Sequence, residues 1–238
     1  MANADSGSSP GRGSGSAAVV ALTLAGVVLM GWSFFAPMWW VSLKAPNYPE
    51  ATFPSGVRIH MYWDHVGNGC KPRESQEVEE DEGLDCVHEM NTINHYIGME
   101  PIEAGAQLEF AAAPYLFVAF GVLALGFLFY RGPLWWLLPL PAIALPIGFL
   151  VDFSAWLFWF GHHLRPWAAF TVKPFMPTVL GEGKVAQFST YAYPHYGIVL
   201  SIASAVCLSL AVLLRRKQLL AEAAVASTPR PAAAGARA

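Results

Sequence analysis

The sequence predicts an all-α membrane protein of four transmembrane helices. A small extracytoplasmic mixed α/β loop domain is expected between helices 1 and 2, and a long outer loop between helices 3 and 4. Three observations carry this reading. Of 238 residues, 55% are hydrophobic and only 13% charged, and the positive mean hydropathy lies above that of a water-soluble domain. Four apolar runs each reach about the twenty residues a helix needs to cross roughly 30 Å of hydrocarbon. The acids are gathered between the first two runs, most densely from Glu74 to Asp85.

Residues 1–16 are rich in Gly, Ser and Ala, with Asp5 and Arg12 as the only charges. Too little apolar surface is present to offset the entropy of ordering them, so a disordered tail is expected. Helix 1 is placed at 17–38, closed by Trp39-Trp40 as an interfacial belt. Its apolar stretch exceeds the roughly 7–15 residues of a signal-peptide core, and no small-x-small site precedes the tryptophans, which favours an uncleaved anchor. Residues 39–108 form the water-facing domain, with turn pairs Ala45-Pro46 and Phe53-Pro54. Within it, Val57 to Trp63 is β-prone and partly alternating, one strand or hairpin arm. The acidic 74–82 run lacks the alternating oxygen ligands and mid-loop glycine of an EF-hand and reads as a solvated loop.

Helix 2 is placed at 109–130 and helix 3 at 133–160, joined by the tight turn Arg131-Gly132-Pro133. Pro139, Pro141 and Pro146 are expected to kink helix 3. Residues 161–194 form the second outer loop, 195–214 helix 4, and 215–238 a second tail. Arg12, Arg131 and the cluster Arg215, Arg216, Lys217 flank one side of the spans. That excess places both termini in the cytoplasm and both loops outside an inner membrane.

A net charge of −3 and a pI near 6.1 give no basic field, which argues against a nucleic-acid partner. No P-loop, Gly-x-Ser-x-Gly, His-Glu-x-x-His or dinucleotide fingerprint is present, so no enzyme is expected, nor an autonomous ATP-driven pump. The chemistry-bearing residues lie in the outer segments. Cys86 to Met99 packs one cysteine, two histidines and two methionines into fourteen positions. Thioether ligands select Cu(I) and imidazole accepts either copper state, so such a set outside the cytoplasm points to copper. On a helix His88, His95 and Met99 would share one face. The expected site is His95 and Met99 on Cu(I), completed by His60, Met61 or His163.

Cys70 and Cys86 read as a structural disulfide, with copper thiolates and free thiols as alternatives. Asp152 is the one acid inside a hydrophobic run, a functional position by default, against a buried cap or interhelical hydrogen bond. His162-His163 marks the end of the same helix. These neighbours point about 100° apart and need partners from elsewhere to hold a metal.

Several segments carry a family resemblance: Trp40-Val41-Ser42-Leu43-Lys44-Ala45-Pro46-Asn47-Tyr48-Pro49, Ile93-Asn94-His95-Tyr96-Ile97-Gly98-Met99, the stretch from Asp152 to Leu164, Lys173-Pro174-Phe175-Met176-Pro177, Leu180-Gly181 and Ala186-Gln187-Phe188. With these the chain resembles a family of small multi-pass bacterial membrane proteins that accompany nitrous-oxide-reductase-type copper maturation systems. The resemblance implies an accessory role in copper delivery or in maturing an exported metalloenzyme, with a membrane or periplasmic partner. His95, Met99, Asp152 and His163 fall in the shared segments, whereas the acidic insert with Cys70 and Cys86 departs from the pattern. A non-enzymatic scaffold subunit of a respiratory or transport complex is the competing expectation, and a solute or proton path through Asp152 the third.

Overall fold

The computed structural model describes residues 12–70, 84–166, 168–169, 171–185 and 187–227. The first tail up to residue 11, the acidic 74–82 run and the last residues of the second tail lie outside them. Among the described residues, four helices are long and apolar enough to cross a membrane, within Ser16–Phe34, Gln107–Gly126, Trp135–His162 and Tyr196–Ala226, the make-up of a multi-pass membrane protein. Helix α1 spans Arg12–Phe34, α3 Gln107–Gly126, α4 Leu140–His162 and α5 Tyr196–Ala226. Helix α5 continues past residue 214 into the segment expected to be a tail. Pro139 and Pro141 sit at the start of α4, where the missing N–H would have had no helical partner anyway. Only Pro146 lies in the interior of α4, and Pro114 in that of α3.

The all-α class is wrong. A five-stranded antiparallel sheet stands at one end of the bundle, in the order β3-β2-β1-β5-β4. Its strands are β1 Trp39–Lys44, β2 Val57–Met61, β3 Val66–Asn68, β4 Gly181–Val185 and β5 Phe188–Pro194. The expected strand around Val57 is β2. The second outer loop is not a separate loop, because its hairpin β4–β5 adds to β1 of the first domain, with Trp40 opposite both His60 and Tyr193. Each of these segments offers only part of a sheet. Joined, they pair edges that would otherwise be left open.

Alternation along the strands gives the sheet two faces. Trp39, Val41, Leu43, Ile59 and Met61 face the helices, and Trp40, Arg58, His60, Tyr191 and Tyr193 the other side. Trp39, expected at a membrane interface, is 4% exposed and packs on Phe149 and Phe153 of α4. Its indole N–H donates to the Val179 carbonyl at 3.0 Å, which ties the second loop to the sheet.

Helix α2, Cys86–Ile97, covers the inner side of β2. Its N-cap Asp85 accepts from the Val87 and His88 amides at 3.0 and 3.2 Å, meeting two of the donors left over at a helix start. It ends in a Schellman turn: Gly98 at φ 81°, with the Gly98 N–H on His95 O and the Met99 N–H on Asn94 O. Met90, Ile93, Asn94 and Ile97, at i, i+3, i+4 and i+7, form its buried stripe.

The helices pack through small residues. The Ser204 hydroxyl of α5 donates to the Gly26 carbonyl of α1 at 2.7 Å, and a Cβ at Gly26 would meet Leu208 at 2.7 Å. At the end away from the sheet, Arg215 donates to the Phe127 and Tyr130 carbonyls. The first of these is the C-cap carbonyl of α3, one of those left unpaired where a helix stops. Its guanidinium lies 4.8 Å over the Phe127 ring and 5.2 Å over Trp135.

Candidate functional site

The residues singled out in the sequence are distributed over three surroundings. His95 is exposed on α2, while Met99 is 9% exposed and packs in a cluster with Ile97 and Phe160. Gly98 turns the chain out of the helix between them, so Met99 does not occupy the helical position one turn after His95. His60 and Met61 are neighbours on β2 and point to opposite faces of the sheet. His163 closes α4 and is exposed. Its Nδ1 lies 2.9 Å from the Trp159 carbonyl, and its ring stacks on Trp159. Cys70 and Cys86 are disulfide-bonded, with Cα atoms 5.9 Å apart, fastening the end of β3 to the start of α2. Among the described residues, no three His, Cys, Asp or Glu side chains group to hold a metal ion.

What the fold does build is a chamber of about 420 Å³ between the inner face of the sheet, α2 and the helices α3 and α4. The sheet contributes Val41, Ile59 and Met61, and α2 contributes Met90, Ile93 and Asn94. Phe117 of α3 and Phe149, Phe153 and Trp156 of α4 make aromatic walls. Trp63 meets Phe117 and Phe149 edge-on at 5.0 and 5.4 Å. Asp152 borders this space, as does Glu109 at the start of α3. Three methionines line it: Met61 and Met90 from one apolar cluster, Met99 from another. Sequence reading singled out the His88, His95, Met99 face of α2 and missed Met90 and Asn94 as lining residues; the i, i+3, i+4, i+7 spacing of Met90, Ile93, Asn94 and Ile97 is the signal that could have found them. Trp63 and Glu109 had no such signal, because tertiary packing of the β2–β3 turn and of the first turn of α3 brings them there.

The outer face of the sheet carries a second grouping. The register brings His60 to within 5.1 Å of His195, ring centre to ring centre, and the Arg58 guanidinium lies 4.3 Å over Trp40. Burial, His195 and Arg58 push the His60 pKa below 6.5, and burial and Arg58 do the same for His195. Both rings therefore favour the neutral form. The Nδ1 of His195 accepts the Tyr196 N–H at 2.9 Å, capping α5. In the neutral ring the proton then sits on Nε2, which makes that nitrogen a donor instead of a ligand.

Comparison with protein-family models, with curated proteins and with solved structures finds no match.

Proposed function

We propose that this chain is a non-enzymatic accessory protein of the inner membrane that handles copper(I) on its outer side, delivering the metal to, or helping to mature, an exported copper enzyme. The family-like segments support this reading, and one structural observation carries it: Met61, Met90 and Met99 all line the chamber beneath the sheet. Thioethers are soft donors that favour Cu(I) over zinc or magnesium. The ion is cargo here, and Met61 and Met90, which share one cluster, are the pair that would hold it, with Met99 in the opposing wall. Apolar walls keep water from competing. An outward-facing sheet with both termini cytoplasmic is supported by the basic residues at the other end of the bundle and by the Cys70–Cys86 disulfide, a bond that persists in oxidising compartments.

The test is anaerobic Cu(I) binding by detergent-purified protein in competition with a chromogenic chelator. Met61→Leu with Met90→Leu keeps apolar volume and is expected to abolish binding, while His95→Ala leaves it. Wild-type protein that takes up no Cu(I), or a double variant that binds as well as wild type, refutes the reading.

A second reading, a scaffold subunit of a respiratory or transport complex, is favoured by the outer sheet face. Trp40, Tyr191, Tyr193 and Arg58 stand there half-buried, and aromatic residues with Arg are enriched at protein interfaces. Deletion that dissolves a membrane complex with no change in its metal content supports this alternative over copper handling.

A further inference from the structure

The chamber is far larger than an ion requires and falls within the roughly 300–1,000 Å³ range of small-molecule sites. It is also open sideways. Leu116 of α3, 45% exposed, and Gly148 of α4 both line it and both reach the surface. The gap lies within two membrane-spanning helices, so whatever enters comes from the bilayer.

Its polar groups are few and distinctive. The Asn94 side chain is 7% exposed and lines the chamber. The Trp63 indole N–H is buried and has no acceptor among the described residues. Asp152, one helical turn from Gly148, and Glu109 add carboxylates on the helix side. Polar groups in an apolar chamber are costly to leave unpaired when a ligand displaces water from them, so a ligand that pairs them is favoured over one that does not. An acyl chain fills the volume and pairs none of them. A flat ring bearing hydroxyls on opposite sides fits both the aromatic walls and the separated donors and acceptors.

We infer that the chamber binds a membrane quinol that enters between α3 and α4. The ring lies among Phe117, Phe149, Phe153 and Trp156. One hydroxyl donates to the Asp152 carboxylate, and the other ring oxygen accepts from the Asn94 amide. The isoprenoid tail leaves through the gap beside Leu116 and Gly148. The ring shares the chamber with Met61 and Met90 but makes its polar contacts elsewhere, and its binding requires no electron transfer.

The experiment reconstitutes the full chain in phosphatidylcholine nanodiscs and measures, anaerobically, the excess of a one-isoprene benzoquinol over that in empty nanodiscs. The expected result is a saturable excess of one per chain. A Cβ added at Gly148 meets nothing within 4 Å, so Gly148→Leu fills the gap without disturbing the backbone and is expected to weaken binding at least tenfold. Asp152→Asn is expected to weaken the quinol more than the matching quinone, which has no hydroxyl to donate. Met61→Leu with Met90→Leu is expected to leave quinol binding in place, whatever it does to copper. Wild-type protein whose uptake stays linear, like partition into lipid, overturns the proposal. So does displacement of the quinol by an equal concentration of a ringless acyl alcohol, or unchanged affinity in Gly148→Leu.

Discussion

Replacing Cys70 and Cys86 together by alanine opens a crosslink that spans 16 residues. Closing a loop of that length removes about 10 cal/mol/K from the unfolded chain, about 3 kcal/mol at 25 °C. Cys86 is fully buried at the start of α2, in the cluster that holds α2 against β2, so the loss falls on the docking of α2 and not on the helix bundle. A loss of about 3 kcal/mol corresponds to roughly 100-fold more frequent opening of that unit. Amide hydrogen exchange in detergent reads it directly: Met90, Ile93 and Asn94 are expected to exchange roughly 100-fold faster in the double alanine variant, with α1 and α5 unchanged. Dithiothreitol on the wild type should reproduce the effect. Unchanged protection of α2 in the variant would refute the reasoning, because it would mean that packing alone fixes the helix and the crosslink closes a loop already closed.

Other outcomes follow from single contacts. The Tyr48 hydroxyl donates to Glu89 Oε2 at 3.1 Å. Burial first, then that bond and the Glu89 charge, push its pKa from 10.0 to about 12. The folded state therefore holds the phenol proton more tightly than the unfolded one, and the resulting stability is complete below pH 10 and disappears as pH rises toward 12. Ultraviolet titration should show Tyr48 ionising late in the wild type and earlier in Glu89→Gln. At Gly98 the positive φ and a Cβ position 2.8 Å from the Arg165 carbonyl both oppose a side chain. Gly98→Ala should cost at least about 1–2 kcal/mol, seen as faster exchange at the C-terminal end of α2. Normal protection there would show that the Schellman turn and the Arg165 segment yield easily.

The membrane-spanning segments were legible because each must satisfy its own backbone in hydrocarbon, so its length and apolarity are written in consecutive residues. The β2 strand was legible for a similar local reason, the alternation at Val57, Ile59 and Met61. The rest of the sheet was not. Trp39 reads equally well as an interfacial anchor or a buried strand residue, and only its pairing with Pro194, more than 150 positions away, selects the second. The same holds for the candidate site. Cys86 to Met99 looks like one ligand-rich run, yet Gly98 ends the helix, leaving His95 exposed and Met99 buried.

What the sequence by itself determined is the number and placement of the apolar spans and the strand at Val57, each set by local apolarity or alternation, whereas the buried stripe of α2 is Met90, Ile93, Asn94 and Ile97 and not the His88, His95, Met99 face expected. Only the tertiary structure decided that two distant outer segments close one sheet, and that His60 and Met61 part to opposite faces. It also decided that Met61, Asn94, Glu109 and Asp152 border a single chamber. The physical reason is that strand pairing and cavity walls are long-range contacts, fixed by which unpaired edges and apolar faces find one another, and no local pattern encodes that choice.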